Sequence, residues 1–152
     1  MTARARIIGL GQGAAGDDSV GLAILEWLRM RGVPEGVELI RAAEDAALVP
    51  LIETCAPVIL IDAVLGTPVG EVIELAPEQL ATSPLLPVST HGMGIAQVIE
   101  LARVLAPTAV TPSIRLVAVT IARPERYEHQ LSPQVVAAVP RAGARVLALV
   151  GA

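Results

Sequence analysis

Asp18, Asp62 and His91 are the residues of this chain best placed for chemistry, because each falls where a regular element is expected to begin or end. Asp18 closes a glycine-rich stretch, Gly9-Leu10-Gly11-Gln12-Gly13-Ala14-Ala15-Gly16-Asp17-Asp18, directly after the apolar run 7–10. Asp62 ends a second apolar run, Val58-Ile59-Leu60-Ile61. His91 opens a helical pattern, His91-Gly92-Met93-Gly94-Ile95-Ala96. Two carboxylates and an imidazole brought to one point would form a metal site with room for a further ligand. Each residue also has an ordinary explanation. Acids at a helix start favour its dipole. A strand-end aspartate can be satisfied by backbone amides of the following turn. A histidine near a helix N-terminus can be a cap or face solvent. Its position should nevertheless keep the ring neutral and able to bind metal.

The elements that must position these groups follow from hydrophobic period and breakers. Residues 6–11, 37–41, 57–63 and 114–121 read as strands, and 57–63 as a central one buried on both faces. Helical spacing covers 18–31, with Val20, Ile24 and Leu28 on one stripe and Gly32 as a stop. A short helix is expected over 44–54. A further helix over 91–105 would be capped by Ser89 or Thr90, with Ile95, Val98, Ile99, Ala102 and Leu105 on its apolar face. Residues 71–76 alternate as a half-exposed strand that follows 57–63 too closely for a crossover helix, so it should be antiparallel or at an edge. Residues 77–87 read as a loop with a short helical turn. Ser132 caps and Pro133 begins a last helix to about Val150, with Pro140 predicting a kink or break. Alternating strands and helices imply one domain over 1–152, an α/β three-layer sandwich. Its mostly parallel twisted sheet has about five strands, one antiparallel or at an edge, with helices on both faces. In such sheets ligands bind beyond the carboxyl ends of the strands, where Asp18 and Asp62 fall.

Composition excludes several classes. The chain has 152 residues, 53% of them hydrophobic and 17% charged, which is too apolar for disorder. No stretch of about 18 apolar residues runs free of charge or breaker, so no membrane insertion is expected. A net charge of −4 without a basic cluster argues against nucleic acid. Trp27 and Tyr127 are the only aromatics, which leaves no platform for base stacking. A single cysteine, Cys55, fits a reducing compartment and reads as a structural thiol beside an apolar run. His129 lies in a polar segment and reads as a surface residue. No Gly-x-Ser-x-Gly elbow signals a serine nucleophile. Gly9-x-Gly11-x-x-Ala14 matches the looser dinucleotide fingerprint, with Glu44 and Asp45 after the second strand as candidate ribose-binding acids. Against that reading, Asp17 and Asp18 would repel a pyrophosphate. A dinucleotide-binding domain therefore stands as a lesser alternative.

Together these segments resemble the hydrogenase maturation endopeptidases. That family's Gly-x-Gly-Asn loop leading to Asp-Asp/Glu and a glycine is matched by Gly9-Leu10-Gly11-Gln12, Asp17-Asp18 and Gly21. Its aliphatic strand ending in Asp-Ala is matched by Ile61-Asp62-Ala63-Val64. Its His-x-x-Gly before an apolar helix is matched by His91-Gly92-Met93-Gly94, and a late Leu-Ser-Pro-x-Val by Leu131-Ser132-Pro133-Gln134-Val135. The likeness runs from Ile7 to Val150. It implies a cytoplasmic, metal-dependent endopeptidase, expected to be monomeric. It would remove a C-terminal extension from the nickel-loaded large subunit of a nickel–iron hydrogenase. Asp18, Asp62 and His91 would be the catalytic and metal-binding residues. The nickel would be supplied by the substrate, with no tightly bound cofactor at rest.

Three departures stand out: Gln12 for the usual Asn, a small-residue loop 13–16, and Ala42-Ala43-Glu44-Asp45 in place of a Gly-Gly-Thr-like turn. They leave open a non-catalytic, metal-sensing checkpoint protein on the same fold. The small residues of 9–16, with Gly92 and Gly94, predict a shallow cleft between those two loops that admits an extended segment of a partner.

Overall fold

The computed structural model describes residues 3–11, 16–82, 86–87, 94–123 and 130–151. Six strands form one sheet: β1 (Ala5–Leu10), β2 (Val37–Ala42), β3 (Val58–Leu65), β4 (Val72–Leu75), β5 (Leu86–Pro87) and β6 (Ile114–Ile121). The order is β2-β1-β3-β6-β4, with the two-residue β5 pairing to β3. β2, β1, β3 and β6 are mutually parallel. β4 is an antiparallel edge strand on β6, and β5 is antiparallel to β3. The expected mixed α/β sheet is therefore present, and the strand placed at an edge from its short connection lies at one.

The helices are α1 (Val20–Arg31), α2 (Leu48–Ile52), α3 (Pro77–Thr82), α4 (Ile95–Leu105) and α5 (Pro133–Leu149). Two aliphatic cores fill the layers. On one face Ile7, Ile59, Ile61, Val117 and Val119 meet Val20, Ile24 and Leu28 of α1 and Val135, Ala138 and Val146 of α5. On the other, Ile8, Leu10, Leu60, Leu116 and Ala118 meet Leu48 and Ile52 of α2 and Val98, Ile99 and Ala102 of α4. Burial of both faces explains why β3 and β6 are continuous apolar runs rather than alternating ones.

Several boundaries differ from the sequence reading. Residues 16–19 form a 3₁₀ turn before α1, so Asp18 sits in that turn and not in the helix. The 44–54 segment divides into a 3₁₀ turn, Asp45–Ala47, and α2. β3 continues past Asp62 to Leu65, because pairing with β6 runs through Leu65↔Ile121. α4 starts at Ile95, and Gly94 occupies its cap position. The Gln97 carboxamide oxygen accepts from the Gly94 N–H at 3.2 Å, so Ser89 and Thr90 are not the cap. Leu105 is 72% exposed and drops out of the apolar stripe of α4. Pro140 does not break α5. Its position, two turns in, removes one amide donor, while the flanking Val139 and Ala142 hold the helix to the sheet by burial.

Candidate functional site

The carboxyl edge of the parallel strands carries three acids. The β1–β3 ladder ends at Gly9↔Ile61, so Asp62 lies one step beyond it. The chain then crosses this edge in the 3₁₀ turn that holds Asp18. Asp45 opens the turn that follows β2, on the neighbouring strand.

Asp62 keeps part of its surface open to solvent, between the buried Ile61 and Ala63. Its carboxyl is nonetheless set deep among protein atoms, and that desolvation pushes its pKa well above the ordinary carboxylate range. The Ala63 N–H donates to Oδ1 at 2.8 Å and opposes the shift, while the charges of Asp45 and Asp18 add to it. The expected satisfaction of Asp62 by the next backbone amide is thus present, but it does not offset burial. Asp18 is half-buried, and burial raises its pKa. Asp45 is raised by burial and then by repulsion from Asp18.

These three shifts share one physical meaning. Burial disfavours the charged form of all three, neighbouring like charges add to this at Asp45 and Asp62, and a proton or a cation relieves both effects. A cation presented by a partner would do so. Among the described residues, no three His, Cys, Asp or Glu side chains stand close enough to hold a metal ion by themselves. His91 and residues 12–15 lie outside the described residues, as do His129 and most of both loops of the expected cleft.

Asp45 is the residue that sequence reasoning undervalued. In sequence it reads as a candidate ribose-binding acid. An acid in the turn that follows a parallel strand, on the edge where ligands bind, is the signal that identifies it. Cys55 is exposed, not a buried structural thiol, because it lies in the bend between α2 and β3 rather than in the apolar run itself.

Asp17 has a different task from Asp18. It is buried, and its carboxylate accepts from the Ser132 N–H at 2.6 Å and from the Ser132 hydroxyl at 2.8 Å. Ser132 precedes α5, and its side chain makes no cap bond to that helix. The first acid of the pair thus ties the 3₁₀ turn to the start of α5 across most of the chain. The turn is also closed from within, where the Ser19 hydroxyl donates to the Gly16 carbonyl at 2.6 Å. Asp17→Ala should leave both Ser132 donors unpaired and cost about 2–3 kcal/mol, read as a lower urea midpoint. Ser132→Ala keeps the backbone donor and should cost about 1 kcal/mol. Equal stability of Asp17→Ala and the wild type would remove this role.

The glycines of the first motif are explained by packing. A Cβ on Gly9 would stand 2.8 Å from the Gly21 carbonyl oxygen, and one on Gly21 would stand 2.7 Å from that of Ile61 and closer still to that of Leu10. The start of α1 therefore lies directly against the ends of β1 and β3, which brings Asp18 to the edge beside Asp62.

A family model described as hydrogenase maturation protease matches residues 24–149. The chain belongs to that family. Solved structures agree in fold. The hydrogenase maturating endopeptidase HybD from E. coli is 26% identical, with a TM-score of 0.75 over 96% of this chain and 91% of that one. The [NiFe] hydrogenase maturation protease HybD from Thermococcus kodakarensis is 21% identical, with a TM-score of 0.74 over 97% of this chain and 99% of that one. The HycI protease of the same organism is also 21% identical, with a TM-score of 0.72 over 99% and 94%. No curated protein sequence matches the chain. Hydrogenase maturation proteases are processing peptidases, and the mixed sheet seen here is their fold. No helix among the described residues is long and apolar enough to cross a membrane.

Proposed function

We propose that this protein is an endopeptidase that removes a C-terminal extension from the nickel-loaded large subunit of a nickel–iron hydrogenase, addressing the metal through Asp18, Asp62 and His91. The observation that carries the reading is the convergence of Asp18 and Asp62 at one sheet edge, each with a pKa raised by burial. A buried carboxylate that holds its proton too firmly for free solution gains most from a cation brought by the substrate. Nickel on the large subunit is that cation. Oxygen and imidazole donors suit it and leave positions for water and the substrate carbonyl. In the reaction water adds to the scissile carbonyl carbon, the C–N bond breaks, and the leaving amine takes a proton. Asp62, whose pKa burial raises, is the group placed to carry that proton.

Asp45 favours a second reading. It adds a third acid where the family's usual turn differs, and a site with more negative charge could hold the nickel-loaded subunit without cutting it.

One experiment separates the two. Nickel-loaded and metal-free precursor are each incubated with the protein, and tail loss is followed by electrophoretic mobility. Processing of the loaded form alone is expected. A stable complex with an intact tail means a checkpoint, and equal affinity for both forms removes metal recognition. His91→Ala should lower processing at least about tenfold with an unchanged melting temperature. Processing at the wild-type rate would take His91 out of the site.

A further inference from the structure

Beside the acidic edge, a groove of about 480 Å³ lies between α1 and the edge strand β2. Leu22, Leu25, Leu39 and Leu131 give it an apolar lining. Ser19, the neighbour of Asp18, lines the same groove, so a segment lying in it leads directly to the site. Glu26 and Arg29 also line it, but they neutralise each other as an ion pair. Arg41 differs. It is exposed, lines the groove, and makes no ion pair or hydrogen bond with any described residue. Among the described residues β2 pairs only with β1, which leaves its other edge to pair with an extended chain.

We propose that this groove holds an extended segment of the hydrogenase precursor next to the scissile bond, with an acidic side chain of that segment paired to Arg41. The inference rests on the processing role proposed above and names how the substrate is recognised there. Charge decides the occupant. Asp18, Asp45 and Asp62 repel a carboxylate at the adjoining acidic site, and within the groove Arg41 is the cation not neutralised by a described partner. An acidic residue is therefore accepted at one place, which fixes the register of the segment relative to the metal-facing acids. Leu39 and Arg41 lie two apart on one strand and so share a face, which asks for an apolar side chain two residues from the acidic one. The guanidinium fork suits bidentate pairing with a carboxylate.

The test uses nickel-loaded precursor whose acidic residues near the cleavage site are neutralised one at a time, Asp to Asn or Glu to Gln. With wild-type protein, one of these changes should raise KM by about tenfold while kcat holds. Arg41→Gln should raise KM for the natural precursor by a similar factor, and that one neutralisation should then have no further effect. Arg41→Glu with the matching acid changed to Arg should recover most of the lost KM. Arg41 is exposed and without described partners, so both variants should melt like the wild type. Unchanged KM in Arg41→Gln, or an undiminished penalty for every neutralised precursor, overturns the inference while leaving the processing role intact. A wild-type protein that neither cleaves nor binds the loaded precursor overturns both.

Discussion

Asp62→Asn is expected to end processing and at the same time to make the protein more stable. The carboxyl of Asp62 has a folded-state pKa well above its ordinary value of 3.8. The folded state therefore binds its proton more tightly than the unfolded chain. Stability from this group is complete below pH 3.8 and is lost as pH rises towards the raised folded-state value. Above that raised value the wild type carries the penalty of a desolvated charge facing Asp45 and Asp18. Asparagine keeps the shape and the acceptor for the Ala63 N–H but removes the charge. The gain should be about 1–3 kcal/mol, or roughly 3–10 °C in melting temperature for a domain of this size. Melting curves of both proteins against pH measure it, and the wild type should lose more stability with rising pH than the variant, which keeps the raised Asp18 and Asp45. The same substitution should lower kcat/KM for nickel-loaded precursor at least about a hundredfold, the scale of losing a group that meets developing charge. A variant that melts below the wild type at pH 7 would contradict the buried-charge account, whatever its activity.

Gly21→Val should be the most damaging single change away from the acids. Position 21 is buried where α1 meets the sheet, and the atoms in the way are the carbonyl oxygens of Leu10 and Ile61. These belong to central strands of the ladder and cannot rotate aside as a side chain would. Overpacking usually costs about 1–3 kcal/mol, and here relief would require lifting α1 from β1 and β3. More than about 3 kcal/mol is expected, a large part of the total stability of a small domain. Urea unfolding gives the measure. An undisturbed midpoint would mean that α1 does not sit as closely as described. The partner position makes the same point, since Gly9→Ala meets the Gly21 carbonyl oxygen at 2.8 Å and the Leu25 Cβ at 3.2 Å.

The acidic edge could be read from the chain because one rule applies to it. Ligand-facing residues in a parallel sheet follow the strands, and Asp18 and Asp62 follow two apolar runs. The same rule reaches Asp45, but the segment between β2 and β3 has little periodicity, and in sequence its acid reads as a ribose-binding candidate beside Glu44. The Asp17–Ser132 link had no such signal. Two adjacent aspartates look alike in one dimension, and only the path of the chain separates one that anchors a helix 115 residues away from one that faces the cleft. Boundaries moved for a related reason. Asp62 looked like the end of a strand because charge ends an apolar run, but strand pairing is made by backbone groups. The ladder with β6 therefore carried the strand on to Leu65.

What this sequence determined by itself is the layered α/β architecture and the edge on which its chemistry lies. Hydrophobic period and strand-to-helix alternation are local properties, and burial of both sheet faces follows from them. The tertiary structure decided which acids feel one another, which one is desolvated most, and that a groove adjoins them with an arginine unpaired among the described residues. Those are properties of distance and enclosure. Coulomb and solvation energies depend on how far apart two groups lie and how much water separates them, and residues 18, 45 and 62 acquire that relation only when β1, β2 and β3 are laid side by side.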